Sequence, residues 1–220
     1  NGHGSHVSSI VAGSSFNGRP EPQFITYQGM APGANIIHLK VGIGDTRSIG
    51  QVAVERALDW VVDNADRYNI ASVNMSFSDW NYSIPNIPSL ILYGIRDELA
   101  DLKAKNVIVV SGAGNGFGQG GSVPGVSWPA AEPDSLAVGA TWDGNVGRQD
   151  GEYSTDYSTG AYRITSFSQR DPNLTDIFAP GGKILGANFD GDTIKKAGTS
   201  MAAPHITASA VLAQQLAVQT

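Results

Sequence analysis

Apolar runs of strand length alternate with segments of helical periodicity from Asn35 to Val110, and that alternation limits the chain to few folds. Asn35 to Val41, Ala71 to Phe77 and Val107 to Val110 read as strands, while Ile49 to Tyr68 and Ser89 to Lys105 read as helices. The order is βαβαβ. Strands joined by crossover helices pair in parallel and are covered on both faces, so they are apolar throughout instead of alternating with polar residues. Val107-Ile108-Val109-Val110 has that character, and Val54, Leu58 and Val61 set one apolar stripe on the first crossover helix. The expected fold is α/β, a three-layer αβα sandwich with a mainly parallel sheet.

Beyond Gly112 the texture turns to Gly/Ser/Pro-rich loop, followed by a strand-like run from Ser135 to Thr141 and a polar stretch from Asp143 to Tyr162. A last helix begins near Ser200, with Pro204 assigned to its first turn, where no intrahelical N–H partner is lost. No repeat or linker divides the chain, so residues 1–220 are expected to form one domain. With 220 residues, 41% of them hydrophobic, it can bury a substantial core. Net charge is −6 and the Lys and Arg residues are scattered, leaving no basic face for nucleic acid or anionic lipid. No apolar run approaches the roughly 20 residues of a membrane helix. Cysteine is absent, which excludes thiol catalysis, disulfides and Cys-based zinc sites. The chain opens at Asn1 inside a histidine motif and closes on an uncapped helical pattern, so truncation is expected at both ends.

Three segments far apart in sequence end a strand or open a helix, where free N–H groups and side chains face one crevice above a parallel sheet. In NGHGSHVSSIVAG, Asn1 to Gly13, small residues flank His3 at a helix start. In VIVVSGAGNG, Val107 to Gly116, a strand runs into Gly112-Ala113-Gly114 and presents Asn115, whose amide can donate to a developing oxyanion. In AGTSMAAPHITASA, Ala197 to Ala210, Ser200 stands at a helix start among unpaired N–H groups. Each has a plainer reading: a surface histidine, a Gly-Asn turn and an N-cap serine.

The strings around these residues are more specific. His3-Gly4-Ser5-His6-Val7 and Gly198-Thr199-Ser200-Met201-Ala202-Ala203-Pro204-His205 resemble the histidine and serine blocks of the subtilisin-like serine proteases, the subtilases, in the family's order. Gly29-Met30-Ala31-Pro32-Gly33-Ala34, Asn74-Met75-Ser76, Ala113-Gly114-Asn115, Trp128-Pro129-Ala130, Leu136 to Ala140, Thr165 to Ser168 and Ala179-Pro180-Gly181 resemble further family segments between them. The resemblance covers nearly the whole chain. It implies a serine endopeptidase acting on polypeptides, with Ser200 as nucleophile, His3 as general base and Asn115 in the oxyanion hole. It further implies that Ser76, Phe77, Ser78, Ala113 and Gly114 border the substrate, that Trp128-Pro129 is cis, and that the protein is secreted and monomeric.

The match has gaps. The family's catalytic Asp lies upstream of the histidine block, where only Asn1 and Gly2 stand here, and neither Asp45 nor Asp79 occupies its motif. Ser78 and Asp79 replace glycines beside the substrate strand and either narrow the cleft or favour a basic residue. Calcium stabilises many subtilases, but Asp143, Asp150, Glu152 and Asp156 match no EF-hand spacing and read as a solvated acidic loop, so structural calcium stays open and no metal ligand is assigned. Two other functions compete. One is a catalytically silent subtilase-like domain that holds peptides; the other is an α/β-hydrolase esterase, disfavoured because Ala202 replaces the last Gly of G-x-S-x-G and His3 precedes Ser200.

Overall fold

A computed structural model describes residues 2–14, 16–17, 26–42, 49–79, 81–82 and 94–219. In chain order its elements are α1 (His3–Ala12), β1 (Phe16–Asn17), β2 (Thr26–Tyr27), α2 (Gln51–Tyr68), β3 (Ser72–Met75), β4 (Asn81–Tyr82), α3 (Arg96–Ala104), β5 (Ile108–Gly112), β6 (Val126–Ser127), β7 (Leu136–Thr141), β8 (Gln149–Asp150), β9 (Thr155–Asp156), β10 (Ile177–Pro180), β11 (Ile184–Ala187), β12 (Thr193–Lys196) and α4 (Thr199–Gln219). The central sheet has the order β10-β7-β5-β3. All three of its pairings are parallel, with Val73 opposite Val109, Ser111 opposite Ala137 and Ala140 opposite Ala179.

Side chains leave a strand on alternate faces, and the two faces of this sheet are covered by different helices. On one, Val54, Leu58, Val61 and Ala65 of α2 and Leu99 and Leu102 of α3 pack with Met75, Val109 and Ala137. On the other, Val110, Val138, Ala140 and Ala179 pack with Ala202 and Ala203 of α4, small residues that bring the helix close to the strands. The helix α1 joins this second layer, with Val7 and Ile10 against Met201, and Val11 against Ala208. This is the expected three-layer α/β sandwich. The stripe on α2 is the one its sequence spacing predicts, and the helix ends where Asn69 adopts a left-handed conformation, φ 50° and ψ 53°, and returns its N–H to Ala65 and Asp66 carbonyls.

Three expectations need correction or limits. Residues 35–41 carry no strand; the one pairing recorded beside them is the isolated bridge between Gly42 and Ile49. Apolar character favours a strand, but a ladder also needs a partner edge, and β3 ends the sheet order on the side away from β5. Ile36, Ile37 and Leu39 are left 44%, 45% and 36% exposed. The helix expected over Ser89 to Lys105 is described as Arg96–Ala104, residues 89–93 of that expectation lying outside the described set. Asp45 also lies outside it. The Trp128-Pro129 bond is cis, as the resemblance implies.

Helix α3 buries Glu98, 7% exposed, with no hydrogen-bond partner for Oε2. Burial, reinforced by Asp97 and Asp59, pushes its carboxyl up from 4.5 to about 7. The native state therefore keeps a proton that the unfolded chain releases, and the associated stability, full at low pH, is lost as pH rises through about 7. Glu98→Gln should raise the Tm at pH 8 by more than at pH 5, as followed by thermal unfolding with circular dichroism. An equal change at both pH values would contradict this.

Candidate active site

The carboxyl ends of the central strands and the start of α4 meet at one place. Asn115 follows the end of β5, Ser76 follows the end of β3, and Thr199 and Ser200 open α4. Thr199 is 1% exposed and donates twice to Asn115 Oδ1, from its N–H at 2.9 Å and its hydroxyl at 3.2 Å. Thr199 Oγ1 also accepts the Gly114 N–H at 3.1 Å. Two donors on Oδ1 fix which way the amide faces, leaving Nδ2 with its two N–H groups for another acceptor. Gly112 makes the approach possible, since a Cβ there would lie 3.0 Å from Thr199 Oγ1 and 3.1 Å from the Thr199 carbonyl carbon.

Ser200 is half-buried, and its hydroxyl donates to the Ser76 carbonyl at 3.2 Å. A second bond runs the opposite way, from Ser76 Oγ to the Ser200 carbonyl at 2.8 Å. Its origin lies in Pro204. The sequence assigned Pro204 to the first helical turn, whereas it is the sixth residue of Thr199–Gln219 and removes the N–H that would bond the carbonyl four residues back. That carbonyl belongs to Ser200, and Ser76 satisfies it. Asn74 Nδ2 donates to Ser76 Oγ at 3.0 Å, and Thr207 Oγ1 to Asn74 Oδ1 at 3.1 Å, so a polar chain fastens β3 to α4.

His3 opens α1 behind the N-cap Gly2. The helices α1 and α4 pack through Val7, Ile10 and Met201. Burial lowers the His3 pKa from 6.5, and the Lys196 ammonium, followed by His6 when it is protonated, lowers it further. His6 is fully buried, with Nε2 3.1 Å from the Ile184 carbonyl and 3.0 Å from that of Ile194. Carbonyls only accept, so Nε2 carries a proton, and the ring ties α1 to β11 and the β12 strand beside it, while burial lowers its pKa from 6.5. His205 plays a structural part: Nδ1 donates to the Met201 carbonyl at 2.8 Å, one turn back in its own helix.

The residues expected beside a substrate divide. Phe77 is half-buried, its ring centroid 6.2 Å from that of Trp128, and Ser78 and Asp79 are exposed. Ser76 is 8% exposed and bonded to Ser200, so it meets that residue directly. Ala113 is turned inward at 0% exposure, its N–H donating to Val138 and its carbonyl accepting from Ser127, so it offers a substrate no side chain. Gly114 is buried against Thr199. The acidic stretch has internal partners: Asp150 pairs with Arg148 and Thr155, and Asp156 accepts from Ser166. Among the described residues no group of three or more metal-ligating side chains could hold an ion. Thr199, Asn74 and Thr207 were missed as site residues, though Thr199 stood inside the quoted serine block.

Known proteins agree with this architecture. The model of the subtilase family, Peptidase S8, matches residues 1–219, and the chain belongs to that family. It is similar to subtilisin-like protease 3 of Pseudogymnoascus destructans, 32% identical over 93% of this chain and 41% of that protein. It is also similar to subtilisin Savinase of Lederbergia lenta, 30% identical over 98% of this chain and 64% of that one. The major intracellular serine protease of Bacillus subtilis is 26% identical over 96% of this chain and 54% of its own length. Among solved structures, a cold-adapted subtilisin-like serine proteinase superposes with a TM-score of 0.65 and 25% identity, over 98% of this chain and 62% of that one. The chain thus spans roughly half the length of these relatives, 41% to 64% of it. No described helix is long and apolar enough to cross a membrane.

The bond from Ser76 to the Ser200 carbonyl is testable. Ser76→Ala leaves that carbonyl without its donor and should cost about 1–3 kcal/mol of stability, read as a lower urea midpoint with unchanged m. A change below measurement error would mean that another donor meets the carbonyl.

Proposed function

We propose that the chain is a serine endopeptidase that hydrolyses peptide bonds of polypeptides through an acyl-enzyme on Ser200. The observation that carries the reading is the orientation of Asn115, whose Oδ1 is held by Thr199 so that its Nδ2 donors are free to meet a developing oxyanion. In this reading Ser200 Oγ bonds to the scissile carbonyl carbon while the carbonyl π electrons move onto oxygen. His3, neutral because its pKa is lowered, takes the hydroxyl proton and returns it to the leaving amine. Asn115 Nδ2 and the Ser200 N–H, one of the unpaired N–H groups at the start of α4, stabilise the oxyanion. Water then hydrolyses the ester. The Ser200 hydroxyl, which donates to Ser76 before substrate binds, must first swing to His3. Ser76, Phe77, Ser78 and Gly114 border the peptide.

A silent peptide-binding cleft is the second reading. The charge that acts most on His3 is the cationic one of Lys196, which opposes the protonated form a general base must pass through. Structural calcium is not part of the proposal. Its working form is a secreted monomer, as the resemblance implies; the relative named as intracellular is the observation against secretion. Recovery from culture medium and a single species in size-exclusion chromatography test these two points.

Labelling by a fluorophosphonate separates the readings, because attack of the serine oxygen on phosphorus, with fluoride leaving to solvent, needs an activated hydroxyl and a formed oxyanion hole. Mass spectrometry should find the label on Ser200 and none in Ser200→Ala. Asn115→Ala should slow labelling by about 10²- to 10³-fold, a figure that comes from a relative. Absence of labelling in the unaltered, folded protein would favour the silent cleft. Since burial holds His3 below 6.5, the labelling rate should exceed half of its plateau at pH 6.5 and reach its midpoint only at lower pH. A midpoint at or above 6.5 would contradict His3 as the base.

A further inference from the structure

Thr199 holds Asn115 from one side, and the opposite side of the same loop rests on a buried side chain that the reaction does not use. Gln169 is 3% exposed and Ser127 0% exposed. Gln169 Oε1 accepts the Ser127 hydroxyl at 2.8 Å and the Gly116 N–H at 3.3 Å. The Gln169 N–H donates to the Gly114 carbonyl at 2.9 Å, and the Ser127 N–H to the Ala113 carbonyl at 2.8 Å. One residue therefore holds both neighbours of Asn115. Gly114 lies so close over this pair that a Cβ would overlap Gln169 Oε1 and Ser127 Oγ, and its φ of +106° is one that side-chain-bearing residues rarely adopt.

We propose that Gln169, oriented by Ser127, is a positioning residue that sets the direction of the Asn115 amide in the proposed peptidase site. The chemistry suits the place. The half-buried Gly116 N–H needs a neutral acceptor, and an amide oxygen on a two-carbon stem reaches it without bringing a negative charge beside a developing oxyanion. A Gly116 N–H that lost this partner would leave the loop to settle elsewhere. A displacement near 1 Å of a group aimed at a transition state costs about 10²-fold. With Thr199 still holding Oδ1, a partial displacement is expected when the acceptor is lost.

Gln169→Met keeps the length of the side chain and removes the acceptor, and Ser127→Ala is the milder variant should the first fail to fold. Both rest on the reading of Ser200 as nucleophile, so the unaltered protein is labelled first with a fluorophosphonate, and its failure to label counts against that reading alone. Relative to it, Gln169→Met should label at least about tenfold more slowly while remaining cooperatively folded. In an Asn115→Ala background the same substitution should change the rate less than about twofold, since the group it positions is gone. A penalty of equal size in both backgrounds would overturn the proposal, because Gln169 would then act on the fold at large. Hydrogen exchange gives a readout independent of activity: the Gly116 amide should exchange at least tenfold faster in Gln169→Met, with β5 unchanged. Unchanged exchange at Gly116 would also overturn the proposal, whether or not the protein labels.

Discussion

The start of α4 is pressed against the carboxyl ends of β3 and β5, and the contacts made there hold every other part of the site. A helix start carries unpaired N–H groups that must find acceptors when buried. Here the Thr199 N–H finds the Asn115 side chain, in a space open because Gly112 has no Cβ. Pro204 would normally cost the helix a bond, yet it leaves the Ser200 carbonyl available to Ser76, which turns a helix defect into a tie between α4 and β3. The serine that opens the helix, the amide after β5 and the strand end after β3 are thereby set relative to one another by a few short polar contacts inside an otherwise apolar interface.

Burial also sets the protonation of the second layer. His3, His6 and His205 are all held below 6.5, in each case by burial first. A histidine whose folded pKa is depressed gives stability that is present above 6.5 and lost as pH falls, because the unfolded chain takes up the proton sooner. Glu98 acts in the opposite sense on the far face of the sheet. The two faces are thus limited from opposite ends of the pH scale. For His3, the same burial that costs stability in acid keeps the ring neutral, the form a general base needs.

The sheet is less closed at β3 than its sequence suggests. Residues 35–41 are as apolar as a buried strand, but their large side chains are substantially exposed and no ladder forms along them. A strand is stabilised by its neighbours as much as by its own residues, so an apolar run without a paired edge keeps its composition and loses its structure.

Residue order alone determined the layer architecture, because βαβ alternation and the Val54, Leu58 and Val61 stripe depend only on local periodicity. It also carried Ser200, His3 and Asn115 as candidates, since these stand inside strings that resemble the family's blocks. What the sequence could not reveal depends on contacts across long separations. Nothing near Gln169 announces that its amide oxygen meets Gly116 and Ser127, nothing near Asn74 that Thr207 binds it, and nothing near Ala113 that its side chain turns into the core. Pro204 is the clearest case: its effect on the helix is local and predictable, but which group answers the carbonyl it leaves open is decided by the strand that tertiary packing brings alongside.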